Sequence, residues 1–162
     1  MLKILIVPMA LLLSATCLAD LKQADPDEVC ASLSGVGLKG RAWTEYGDGT
    51  SGCASNYKDI GGGSPLPNNL AFYATGSGQT VNQVKLVVNY NQPSSKAAAT
   101  NSLLAASAKL SQKSLGASLP QSITKAIQTG APAVANVGTG SVEVIRDEWP
   151  TGKGYEIHVV MK

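Results

Sequence analysis

The stretch that decides the fold is Thr80-Val81-Asn82-Gln83-Val84-Lys85-Leu86-Val87-Val88-Asn89-Tyr90-Asn91, which runs through Pro93-Ser94-Ser95 into a second pattern ending near Leu115. In the first part Asn82, Val84, Leu86, Val88 and Tyr90 form the more apolar alternate set, the period of a half-buried strand. In the second, Ala99, Leu103, Ala106 and Leu110 recur at the spacing of one helix face, and Gly116 ends the run. A long strand therefore feeds a long helix whose small residues allow close approach to a sheet.

Working outward, residues 41–46, 53–60 and 70–75 have strand character, separated by the turn at 47–52, the Gly- and Pro-rich loop at 61–69 and the turn Gly76-Ser77-Gly78. Ahead of them, Asp25-Pro26-Asp27-Glu28 has the spacing of a capping box with proline at the first helical position, and Val29, Cys30 and Leu33 give that helix an apolar side. Downstream, Leu119-Pro120-Gln121 opens a shorter helix carrying Ile123 and Ile127 and ending at Gly130. Residues 142–146 and 155–161 read as a hairpin around the turn at 149–154, with Tyr155, Ile157, Val159 and Met161 on one apolar face. The order α-β-β-β-β-α-α-β-β predicts an α+β domain: an antiparallel sheet of about six strands, helices on one face and the other partly solvated.

The chain opens on Met1-Leu2-Lys3, an apolar run from Ile4 to Leu13 and the small-residue segment Ser14-Ala15-Thr16-Cys17-Leu18-Ala19, which reads as an export signal over residues 1–19 cleaved before Asp20. The run is shorter than the ~20 residues that span a bilayer. Ser14 and Thr16 do not suit a lipoprotein site at Cys17. Residues 20–162 then form one domain of 143 of the 162 residues, placed in the periplasm or outside a bacterial cell. Only Cys30 and Cys53 remain past the signal, and the exported compartment predicts that they form a disulfide.

Of 13 Lys and Arg, Lys3 lies in the signal, leaving 12 against 11 Asp and Glu, scattered with no basic tract to neutralise neighbouring phosphates. Nucleic acid is therefore not an expected partner. One His and two oxidised Cys do not make a zinc site, and no cofactor is expected. The glycines of residues 47–52 lack the lysine of a phosphate loop and the oxygen ligands of a calcium loop.

His158 is the single histidine, and alternation turns it away from the apolar face of the last strand, toward solvent. Asp147 and Glu148 near the hairpin tip are its available carboxylate partners, and Arg146 is placed to pair with Glu156 across the hairpin. Trp149 at that tip and Leu66 between two prolines are the candidate binding residues, since an exposed aromatic or aliphatic side chain on a loop offers contact area. The catalytic set is incomplete, so the expectation is an exported, non-enzymatic interaction module with a protein partner, of inhibitor, immunity or accessory-factor type. The alternatives are a carrier holding a small apolar ligand between sheet and helices, and a small hydrolase using His158 with Asp147 or Glu148.

Overall fold

In the computed structural model, which describes residues 20–162, Asp25 caps the first helix, α1 (Pro26–Ala31), by accepting from the Glu28 amide at 3.0 Å. The other half of the capping box is absent: Gln23 Oε1, and not the Glu28 side chain, accepts from the Asp25 amide at 3.0 Å, while the Gln23 amide donates to Glu28. The expected signal segment and Cys17 lie outside the described residues. Among the described residues, no helix is long and apolar enough to cross a membrane.

Beyond α1 the chain makes β1 (Thr44–Glu45), β2 (Ser51–Ala54), β3 (Lys58–Ile60), β4 (Asn68–Ser77) and β5 (Thr80–Tyr90), then α2 (Lys96–Ser114) and α3 (Gln121–Thr129), then β6 (Ala133–Val137), β7 (Gly140–Glu148) and β8 (Tyr155–Met161). All pairings are antiparallel, and the eight strands form one sheet in the order β1-β2-β4-β5-β8-β7-β6, with β3 beside β4. The architecture is the α+β class read from the sequence. Two strands exceed the expected six or so. One arises because residues 53–60 are not continuous: β2 and β3 lie end to end along β4, and between them Ser55 Oγ accepts the Phe72 amide at 2.9 Å in place of a ladder bond. The other is β6, whose five residues sit between Pro132 and Gly138 and look like loop by composition.

The strand expected over residues 41–46 shrinks to two residues, but Trp43 still packs on the edge of the core and donates its Nε1 to the Gly78 carbonyl at 2.7 Å. β4 starts two residues earlier than expected because Asn68, almost fully buried, ties it to the β5–α2 connection. Its amide donates to the Gln92 and Ser95 carbonyls, and its oxygen accepts the Gln92 amide at 2.7 Å.

One face of the sheet is the core. Leu70, Phe72 and Ala74 of β4, Val84, Leu86, Val88 and Tyr90 of β5, Val142 and Val144 of β7 and the alternate residues of β8 from Tyr155 to Met161 all turn to it. Against them lie the α2 stripe Ala99, Leu103, Ala106 and Leu110, Ile123 and Ile127 of α3, Val29 of α1 and Leu33 just beyond its end. Each large aliphatic side chain removed from water here contributes about 1.5–3 kcal/mol. Within that face one expectation fails: Asn82 is exposed and Val81 is buried instead. The register passes from Thr75↔Gln83 to Gly76↔Val81, so Asn82 is an extra, bulged residue that shifts the alternation by one. Gly76 is required there, because a Cβ would collide with the Thr80 carbonyl.

Cys30, at the end of α1, is bonded to Cys53 in β2, fastening the first helix to the second strand as expected.

Candidate functional site: the uncovered face of the sheet

With α1, α2 and α3 all on one side, the opposite face of β4, β5, β8, β7 and β6 meets no helix among the described residues. Cross-strand register arranges its side chains in rows. The first runs Tyr73, Lys85, Val160, Glu143, Val134 from β4 to β6; the second Ala71, Val87, His158, Ile145; the third Asn69, Asn89, Glu156, Asp147. The centre is apolar. Ala71, Val87 and Val160 are buried by their neighbours alone, while Val134 stands at 70% exposure on the outermost strand. Polar and aromatic side chains form the rim, and His158 interrupts the centre between Val87 and Ile145.

That rim is hydrogen-bonded. Tyr73 and Tyr57 share a hydroxyl contact at 3.1 Å, the Lys85 ammonium sits 5.3 Å from the Tyr73 ring centroid, and Asn89 donates to Asn69 at 2.7 Å. Partial burial, reinforced by the Tyr57 hydroxyl, pushes the Tyr73 phenol well above the usual tyrosine range. On the far side His158 Nε2 lies 2.7 Å from Glu156 Oε2 and 3.6 Å from Asp147 Oδ2. The other Glu156 oxygen accepts from Trp149 Nε1 at 3.3 Å.

The histidine and one of its expected carboxylates are thus together, joined by Glu156, which lies two residues before His158 on the same face of β8. Glu148 is not with them. It takes the Arg146 Nε at 2.6 Å, and that bond raises the affinity of the guanidinium for its proton. The cross-hairpin pair expected between Arg146 and Glu156 does not form, because the register sets Arg146 opposite Ile157 and Glu156 opposite Asp147. Arg146 turns instead to the helix side, 3.7 Å over the Tyr155 ring. The His158 cluster stands on an open sheet surface, with no serine, threonine or cysteine among the described residues in hydrogen-bond contact. What it offers chemically is a hydrogen-bonding patch of paired donors and acceptors.

Trp149 and Leu66 sit at one end of this sheet, the end of the third row. Trp149 is half-buried, folded over its own hairpin with its ring against Gly154, whose added Cβ would fall 2.5 Å from the indole. Leu66 is 58% exposed on a loop whose backbone is held by the Gln92 side-chain amide, donating to the Ser64 and Leu66 carbonyls at 3.1 Å. Sequence reading passed over Tyr73, Val87, Ile145 and Val160. Their signal was present: Val87 and Val160 are β-branched residues on the set of β5 and β8 positions assigned to solvent.

Of two surface cavities, the first lies away from this face and the second on it, where Thr75, Gln83 and Lys162 continue its rows. One of about 490 Å³ runs between α2 and α3 past Leu104, Ala108 and Leu119; one of about 460 Å³ lies at the β2–β4 corner beside Tyr46, Gln83 and Lys162. Between sheet and helices, Leu86, Val88, Leu103, Leu110, Ile157 and Val159 are fully buried against one another, filling the space an enclosed apolar ligand would take. Among the described residues, no group of three His, Cys, Asp or Glu side chains is arranged so that it could hold a metal ion.

These features define a disulfide-linked α+β domain with a one-sided sheet. The chain belongs to a family of unknown function, DUF6030, whose model matches residues 19–144, from the segment before α1 to the middle of β7. No curated protein and no solved structure matches it.

Proposed function

We propose that this protein is an exported, non-enzymatic interaction module of the bacterial envelope or its surroundings, and that a protein partner docks on the uncovered sheet face. The observation that carries the reading is the composition of that face. Ala71, Val87, Val160 and Ile145 make a staggered apolar line across four strands, with His158 set into it between Val87 and Ile145. Tyr73, Lys85 and Glu156 border it, so apolar contact area alternates with hydrogen-bonding groups as in a protein interface. Leu66 and Trp149 add rim contacts at one end. The Cys30–Cys53 bond and the absence of a membrane-spanning helix among the described residues are compatible with an oxidising compartment outside the cytosol.

Site-specific photocrosslinking in the native host tests this. A photoreactive residue at Lys85 or Ile145 is expected to give a discrete protein adduct that the same residue at Gln112, exposed on α2, does not give. Adducts equal in pattern and yield at both surfaces would sink the proposal.

A further inference from the structure

Among the described residues the sheet has three free edges, and they are not treated alike. β1 is two residues long and carries Glu45, and β3 carries Lys58 and Asp59. Short length and charge are the usual ways of stopping an edge from pairing with another chain. β6, Ala133-Val134-Ala135-Asn136-Val137, has neither device: it holds no charge, no internal proline and no bulge, and its five residues pair with β7 in unbroken register. Among the described residues no strand lies on its outer side.

The direction of its backbone groups follows from the next strand. Ser141 donates to the Lys162 carbonyl at 2.8 Å and accepts from its amide at 3.1 Å, so the Ser141 peptide groups point away from β6. Alternation then aims Gly140, Val142 and Val144 at β6, and their partners Val137, Ala135 and Ala133 back at β7. What remains are the N–H and C=O groups of Val134 and Asn136, which point out of the sheet. Both residues are exposed.

We propose that β6 pairs antiparallel with β6 of a second copy of this chain, about a two-fold axis at Ala135, joining two sheets into one. In this register Val134 faces Asn136 of the partner subunit and the reverse holds, so the outward groups exchange four backbone hydrogen bonds with none left over. The occupant is a second copy because the edge is complementary to itself. Its free groups are symmetric about Ala135, no like charges are opposed, and Pro132, lacking an N–H, ends the ladder equally on both sides. Four hydrogen bonds and a few side chains make a small interface, so the dimer belongs to the weak, concentration-dependent class. The inference does not depend on what the uncovered face binds.

Sedimentation velocity on the purified protein up to about 1 mM is expected to show a reversible monomer–dimer equilibrium, weakened at least about tenfold by Val134→Lys and by Asn136→Pro. The proline removes an outward N–H and leaves the ladder to β7 intact, and the lysine leaves the backbone untouched if the proline variant fails to fold. Ala135→Cys is expected to form an inter-chain disulfide on oxidation, since Ala135 would face its own copy with Cα atoms about 4.5 Å apart. A monomer at every concentration, a dimer unmoved by Val134→Lys, or a dimer in which Ala135→Cys does not crosslink would overturn the proposal.

Discussion

Replacing both Cys30 and Cys53 by alanine removes a link between positions 23 residues apart in the chain. Chain-entropy arithmetic for a loop of that length gives about 3.4 kcal/mol of stability lost, nearly all through a freer unfolded state. Both sulfurs are buried, so the space they vacate adds to the loss. At the usual unfolding entropy per residue, a domain of this size should melt roughly 10 °C lower. Differential scanning calorimetry of wild type and the double variant reads this directly, and a reductant should reproduce the shift in wild type and leave the variant unmoved. A decrease below about 1 kcal/mol, with the disulfide confirmed by mass in the wild type, would refute the entropic account of what holds α1 to β2.

Alkaline titration offers a second check. Burial raises the phenols of Tyr73 and Tyr90 above their unfolded value, so the stability they lend is complete below about pH 10 and is lost as pH climbs through the folded-state values. Absorbance at the tyrosinate band should show two late-ionising groups, one missing in Tyr73→Phe and the other in Tyr90→Phe; simultaneous ionisation of all tyrosines in the folded protein would contradict it. At Gly154, whose added Cβ would lie 2.6 Å from the Tyr90 carbonyl oxygen and against the Trp149 ring, alanine should cost about 2 kcal/mol. It should also red-shift tryptophan emission as the indole leaves Glu156, whereas unchanged emission and melting would show that the hairpin relaxes without strain.

The core face of β8 was legible because four apolar residues alternate without interruption, and the α2 stripe because it repeats through three turns. Asn82 was misplaced because a bulge leaves no mark on composition: Gly76, which makes it possible, reads as an ordinary turn residue. β6 was invisible for a related reason. Its alanines carry little strand preference, and its role comes from β7 alongside it. The site shows the same division. His158 was correctly turned from the core, yet its partner Glu156 is fixed by alternation along one strand while Glu148 is drawn off by Arg146, a choice set by which face each side chain occupies. That the solvent face is itself apolar at its centre emerges only when β5 and β8 are set side by side, bringing Val87 and Val160 from distant parts of the chain to one patch.

The place of β8 between β5 and β7 has a temporal consequence. Val84 pairs with Met161 and Tyr90 with Tyr155, so the middle of the sheet is stitched by a strand that follows all the other described strands in the chain. Until residue 161 is available, β4–β5 and β6–β7 are two separate ribbons with exposed inner edges, and the closure that joins them spans a long loop. A chain wired this way cannot complete its sheet until β8 has joined the two ribbons, however early each ribbon forms.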